Sequence, residues 1–419
     1  MLQKSYNCQL CLLFLTLIIA NMNPLPKPSA LATHWSMNPN IVYLNHGSFG
    51  GTPTYVTNSQ RALQTEMEYE AIEYFIDKLP TYLNTSKLAL ANFVGTDANN
   101  IVYTQNTTTG INCILSSMPS QVGDEWLTTN QSYGACVHAL KQYAYQKGCT
   151  VVTAQIPYPV QNNDEIVAAF EAAITPNTKV ALVDYITSAT ALILPIKKII
   201  TLLQSKGIKV VVDAAHAPGM VNFSIDELQP NYFVANCHKW ICSPKGSAFM
   251  YVAPQHQDDV KPLVISHYND TAEGTAAHWS NQFMWDGTHD YSTYITVKTA
   301  LEYMPTLIEG GWAAIKNHNH NLVLTAAHTI ANALQVQLPI TDAMVGSIVN
   351  IPMPNGKKPK HSFHSNTELK NILFEKYKIE VPIFMYPQAP QQWLRLSAQL
   401  YNSMEQYNYL LACLQQEFG

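Results

Sequence analysis

Apolar positions recur every three to four residues from 58 to 93, through Leu63, Met67, Ala71 and Phe75 and on to Leu83, Leu88, Leu90 and Phe93. That spacing predicts an amphipathic helix packed on a core. Beyond residue 100 the period changes. Short apolar, β-branched runs at 101–103, 125–128, 150–154, 180–186, 210–213, 232–235 and 248–252 read as strands, and helical patterns at 111–118, 134–146, 164–174 and 195–206 lie among them. Strands without a polar face, separated by helices, predict an α/β fold with a mostly parallel sheet covered on both sides. Ligands of such sheets bind beyond the carboxyl ends of the strands.

The remaining patterns flank this alternation. A strand at 41–44 runs into the polar, glycine-rich stretch Asn45-His46-Gly47-Ser48-Phe49-Gly50. Periodicity is poor between 254 and 290, and 291–336 reads as helix broken near Pro305 and Gly310-Gly311. Strands at 345–351, 379–384 and 393–397 with helices at 366–377 and 403–417 predict a smaller α+β domain. The expected organisation is a leader at 1–32, an amino-terminal segment at 33–60, a large domain at 61–290, and connecting helices with the small domain at 291–419.

Composition narrows the function classes. With 419 residues, 47% of them hydrophobic, the chain can bury a large core. A net charge of −5 and few basic residues give no nucleic-acid footprint; Lys357-Lys358-Pro359-Lys360 reads as a solvated loop. Lys4, the apolar run 10–20 and Ala30-Leu31-Ala32 follow the order of a secretory signal peptide, predicting export and a mature chain starting near Thr33. The apolar run is shorter than the roughly 20 residues of a membrane-spanning helix. Of eight cysteines, Cys8 and Cys11 fall in the leader; the other six show no CxxC pair and no metal-like spacing, so no metal is expected. Export would permit one or two disulfides.

The chemistry concentrates around Lys239. The run 232–235 leads into Asn236-Cys237-His238-Lys239-Trp240 and the run 248–252 leaves it, which puts Lys239 on a turn between buried strands. Desolvation there lowers the affinity of a lysine for its proton and makes it a nucleophilic amine. Upstream, Val210-Val211-Val212-Asp213 ends in a carboxylate and continues as Ala214-Ala215-His216-Ala217-Pro218-Gly219. A lysine for an aldehyde and a carboxylate for a pyridine nitrogen are what pyridoxal phosphate (PLP) catalysis requires. Arg395, in Trp393-Leu394-Arg395-Leu396-Ser397, is one of only two arginines, and a guanidinium is the natural fork for an α-carboxylate.

These segments, with Tyr43-Leu44-Asn45-His46-Gly47-Ser48-Phe49-Gly50 and Leu394-Arg395-Leu396-Ser397-Ala398-Gln399-Leu400-Tyr401-Asn402, resemble the class V aminotransferase family of fold-type I PLP enzymes. Within it they resemble the isopenicillin N epimerase-like branch. The resemblance covers residues 41–402 and implies a PLP-dependent transferase-like α/β fold. It implies Lys239, Asp213 and His216 as catalytic, Thr107 and Thr108 at the cofactor phosphate, and Tyr133 stacked on the pyridine. Asp184 lies near the cofactor by the same resemblance, Thr187 or Ser188 near its phenolic oxygen, and Asn236 and His238 at the phosphate. The resemblance also brings the amino-terminal segment 33–60 to the active site. Asn45, His46, Ser48 and Arg395 become substrate contacts, and Thr288 reaches the phosphate of a neighbouring subunit in a homodimer.

The implied chemistry acts at Cα of an amino acid through an external aldimine with PLP. Epimerisation is the first expectation, from the branch resembled. The alternatives are a C–S lyase without a persulfide cysteine, since no cysteine lies between Cys242 and Cys413, and an exported binding protein that has kept the fold.

Overall fold

The computed structural model describes residues 24–267, 279–354, 368–386 and 391–418. After a two-residue strand β1 (Val42–Tyr43) come the seven strands of the central sheet: β2 (Ile101–Thr104), β3 (Glu125–Thr129), β4 (Thr150–Ala154), β5 (Thr178–Asp184), β6 (Lys209–Asp213), β7 (Tyr232–Asn236) and β8 (Ala248–Val252). Their spatial order is β2-β8-β7-β6-β5-β3-β4. The pairs from β4 to β7 are parallel, while β8 runs antiparallel to both neighbours, β7 and β2.

Both faces of this sheet are covered, and the alternation along each strand shows how. Val210 and Val212 of β6 join one apolar cluster with Val183, Phe233 and Phe249, whereas Val211 joins the other with Leu182, Val234 and Met250. The period of two therefore feeds two separate cores, which is why the strands look apolar throughout.

The small domain holds an antiparallel sheet ordered β11-β12-β9, from β9 (Ile348–Pro352), β11 (Ile383–Met385) and β12 (Gln392–Ser397). The strand β10 (Ile379–Glu380) pairs in parallel with β1, tying the amino-terminal segment to this domain. The single strand expected at 379–384 is two, because Pro382 between them has no N–H for a ladder. Likewise the helix expected at 58–93 is two, Thr54–Tyr69 and Leu79–Val94, joined by a π-helical turn at Glu73–Lys78. Glu70 leaves helical geometry and Pro80 fits only a first turn. Leu88, read as part of the apolar stripe, is exposed.

Ser29 donates its N–H to the Tyr401 carbonyl, and Leu31 and Ala32 pack with Trp35, Leu400 and Tyr401. The cleavage point expected after Ala32 thus falls inside a short docked helix, Ala30–His34. The apolar run 10–20 lies outside the described residues. Among those described, no helix is long and apolar enough to cross a membrane. Cys113, Cys136, Cys149, Cys237, Cys242 and Cys413 are all buried and form no disulfide.

Candidate active site

A cleft of about 490 Å³ opens at the carboxyl ends of β5, β6 and β7, between the large and small domains. Lys239, on the turn that follows β7, lines it together with Asp184, Asp213 and Arg395. Gly50 carries φ +72°, and a Cβ there would lie 2.0 Å from the His238 carbonyl oxygen. A side chain is excluded, and the segment 46–51 can press directly onto the lysine turn.

Lys239 Nζ is 3.0 Å from His216 Nε2. The Trp240 indole donates to His216 Nδ1 at 3.2 Å. An indole can only donate, so Nδ1 is unprotonated and the imidazole proton sits on Nε2, directed at the lysine. Burial lowers Lys239 to about 8, and the positive charge of Arg395 adds to the effect. Burial likewise holds His216 well below the ordinary histidine range. The ring can donate to the amine once Lys239 has lost its proton, above about pH 8.

The carboxylates sit on neighbouring strands. Asp184 and Asp213 occupy paired positions of β5 and β6. Asp213 accepts the Ala215 N–H at 3.1 Å, and Asp184 accepts the Tyr133 N–H at 3.2 Å. Burial raises both, Asp184 to about 8.

At the opposite wall, the helix Thr107–Ser117 begins at the cleft. Asn236 accepts the Thr107 N–H at 3.0 Å, so it positions this helix start, and Asn106 caps it through the Thr109 N–H. Thr107 Oγ1 is buried without a partner. A helix amino terminus with a spare hydroxyl suits a phosphate. His238 donates from Nδ1 to the Ser247 carbonyl at 2.9 Å and lines the cleft, and burial lowers it to about 4.

Arg395 is 2% exposed, and no carboxylate pairs with it among the described residues. It donates to the Ser188 carbonyl at 2.7 Å and to Ser48 Oγ at 3.0 Å, lies 4.9 Å over the Phe384 ring, and leaves Nε unpartnered. A buried guanidinium with neutral neighbours is a receptor for an anion.

Several expected residues stand elsewhere. His46 donates from Nε2 to the Lys239 carbonyl and accepts from the Tyr401 hydroxyl, so it props the lysine turn from behind. Asn45 bonds Glu380 and Ser48 and, like His46, does not line the cleft. Thr187 is buried against Thr190 and Leu192, whereas Ser188 faces the cleft. Thr288 is exposed and lies outside the cleft of its own chain. Tyr133 and Thr108 line it. Cys136, Phe49 and Phe384, which line the cleft, and Trp240, which holds His216, were not anticipated; only Phe49 and Trp240, adjacent to Ser48 and Lys239, had a signal in the sequence.

The residues fit PLP: an amine, a carboxylate beside it, an aromatic ring and an anion-binding helix start face one cavity. The sequence model of the family described as Aminotransferase class-V matches residues 71–410. The chain belongs to the class V aminotransferases. Among its relatives, an L-cysteine desulfhydrase of Arabidopsis thaliana is 25% identical over 399 residues, covering 88% of this chain and 86% of that protein. The isopenicillin N epimerase of Streptomyces clavuligerus is 24% identical over 390 residues, covering 90% and 95%. The solved cystine C–S lyase C-DES, in complex with cysteine persulfide, superposes with a TM-score of 0.73 at 20% identity, over 90% of this chain and 97% of that one. This class V enzyme has the fold-type I architecture, and the cofactor of such enzymes is PLP.

Proposed function

We propose that the protein is a PLP-dependent C–S lyase that breaks the Cβ–S bond of L-cysteine or a small cysteine conjugate. One observation carries the reading: among the described residues Lys239 is the only amine in the cleft, 3.0 Å from His216, so one group can both take the Cα proton and deliver a proton to the leaving sulfur. Elimination needs one proton carrier on one face of the substrate, and inversion at Cα needs a second on the other. Relatives bearing the desulfhydrase name agree with it.

When bound, PLP supplies an electron sink for the pair left by the Cα proton. Arg395 holds the α-carboxylate and Ser48 and Ser188 hold Arg395, which fixes Cα within reach of Lys239. Lys239 takes the Cα proton and returns a proton to the departing sulfur. The sulfur leaves with the Cβ–S electron pair, and the three-carbon remainder is hydrolysed to pyruvate and ammonia. Burial and the neighbouring carboxylates push the Cys136 thiol far up, so it supplies no thiolate and the sulfur product leaves directly.

The second reading is epimerisation, favoured by Tyr133, whose ring lines the cleft and offers a hydroxyl as the opposing acid. Incubation of the loaded enzyme with L-cysteine in deuterium oxide separates them. Equimolar pyruvate, ammonia and sulfide support the lyase; D-cysteine deuterated at Cα without pyruvate supports the epimerase.

We further propose a homodimer in which the exposed Thr288 serves the cleft of the second copy, and export directed by residues 1–32. Light scattering, activity of a mixed Thr288→Ala/Lys239→Ala dimer, and cell fractionation with and without residues 1–32 test these.

A further inference from the structure

Asp184 and Asp213 end two parallel strands at paired positions, and neighbouring strands lie only about 4.8 Å apart. Each shares its parity with the residues of one core, Asp184 with Val180 and Leu182 and Asp213 with Val211, so both side chains project from the same face. They are 2% and 4% exposed. Two ionised carboxylates that close, both out of water, repel strongly, and such pairs retain one proton between them.

The partners differ in a way that assigns that proton. Asp213 takes the Ala215 N–H, and the Cys136 thiol and the Lys239 amine face it. These are donors and a positive charge, which favour an ionised group. Asp184 takes the Tyr133 N–H on Oδ1 and has the neutral Ser132 hydroxyl beside it, but no positive charge among the described residues faces it, and its Oδ2 is buried with no hydrogen-bond partner. A bare buried anionic oxygen is the costlier arrangement, whereas a carboxyl O–H at that atom is a donor available to a ligand.

We propose that the pair carries one proton, resident on Asp184 Oδ2, so that Asp184 is a neutral hydrogen-bond donor into the cleft beside an ionised Asp213. Burial and then the Asp213 charge, which lift Asp184 to about 8, agree with this. The other titratable groups at the cleft are Tyr133, Cys136 from the helix Gly134–Gln146, His216, His238, Lys239 and Arg395. With Asp184 neutral, their balance favours anionic ligands. Above pH 8 the second carboxylate ionises and anion binding weakens. The location of the proton stands on the chain alone; donation to an anionic oxygen of the cofactor rests on the PLP reading.

Infrared difference spectra of the purified protein, with and without added PLP, test the assignment. At neutral pH the wild type is expected to show a protonated carboxyl C=O stretch that shifts in deuterium oxide, is lost in Asp184→Asn and persists in Asp213→Asn. Absence of that band from the wild type, or its loss in Asp213→Asn alone, overturns the proposal. Should Asp184→Asn not fold, the wild-type band must fade with a midpoint near 8; a midpoint in the ordinary carboxylate range overturns it equally. Failure of PLP to bind would leave the band in place and count only against the cofactor reading.

Discussion

His216 Nε2 stands 3.0 Å from Lys239 Nζ as a hydrogen-bond donor, because its Nδ1 is occupied by the Trp240 indole N–H. One tryptophan thereby fixes a tautomer whose Nε2–H favours the neutral form of the amine, adding to the burial and the Arg395 charge that lower Lys239 to about 8.

Lys239 is accordingly expected to react ahead of other lysines. Reductive methylation of the protein without added PLP, read by peptide mapping, should half-label Lys239 near pH 8. Trp240→Phe removes one buried hydrogen bond of about 1 kcal/mol and should raise that midpoint by about half a unit to one unit.

The same depression has a stability signature. The folded-state value near 8 lies below the ordinary lysine value near 10.5, so between them the unfolded chain binds more protons and this group's contribution to stability rises with pH. Lys239→Met removes the buried charge. Its stability advantage over the wild type, measured by denaturant unfolding, should be full below pH 8 and shrink towards pH 10.5.

Arg395 sets function against stability. Removing a buried, carboxylate-free guanidinium should leave the melting temperature unchanged or raised in Arg395→Leu, because the charge has no counter-ion to strand. Its fork to substrate is lost, so KM should rise roughly 10- to 100-fold, the value of about 1.5–3 kcal/mol for a charged hydrogen bond. Arg395→Lys should recover the charge but not the fork.

Gly50→Ala should destabilise by about 1–3 kcal/mol, since the new Cβ meets the His238 carbonyl at 2.0 Å and the backbone is left-handed there. The displaced carbonyl belongs to the lysine turn. Denaturant unfolding and Lys239 labelling should therefore change together, while a Gly207→Ala control, also left-handed but with open space around it, should leave labelling unchanged.

Much of this was legible in the chain. The two-residue period of the strands and the placement of Asp213 and Lys239 at strand ends follow from local pattern alone, as does the helix break at Gly310-Gly311. The antiparallel course of β8 does not, because an apolar run carries no direction. The family resemblance implied His46 and Asn45 as substrate contacts, and local sequence could not correct it, because a polar glycine-rich loop looks alike whether it faces a ligand or props a backbone. Only the tertiary path shows His46 behind the Lys239 carbonyl. The pairing of Asp184 with Asp213 was hidden for a similar reason: the strands are 29 residues apart in sequence, and register is set by packing.

The most direct measurement is to load the purified protein with PLP, reduce it with borohydride, digest it and find which residue carries the cofactor. The mass is expected on Lys239 in the wild type and on no residue in Lys239→Ala. Modification of a different lysine, or equal modification of wild type and variant, would contradict the assignment of this cleft as the catalytic centre.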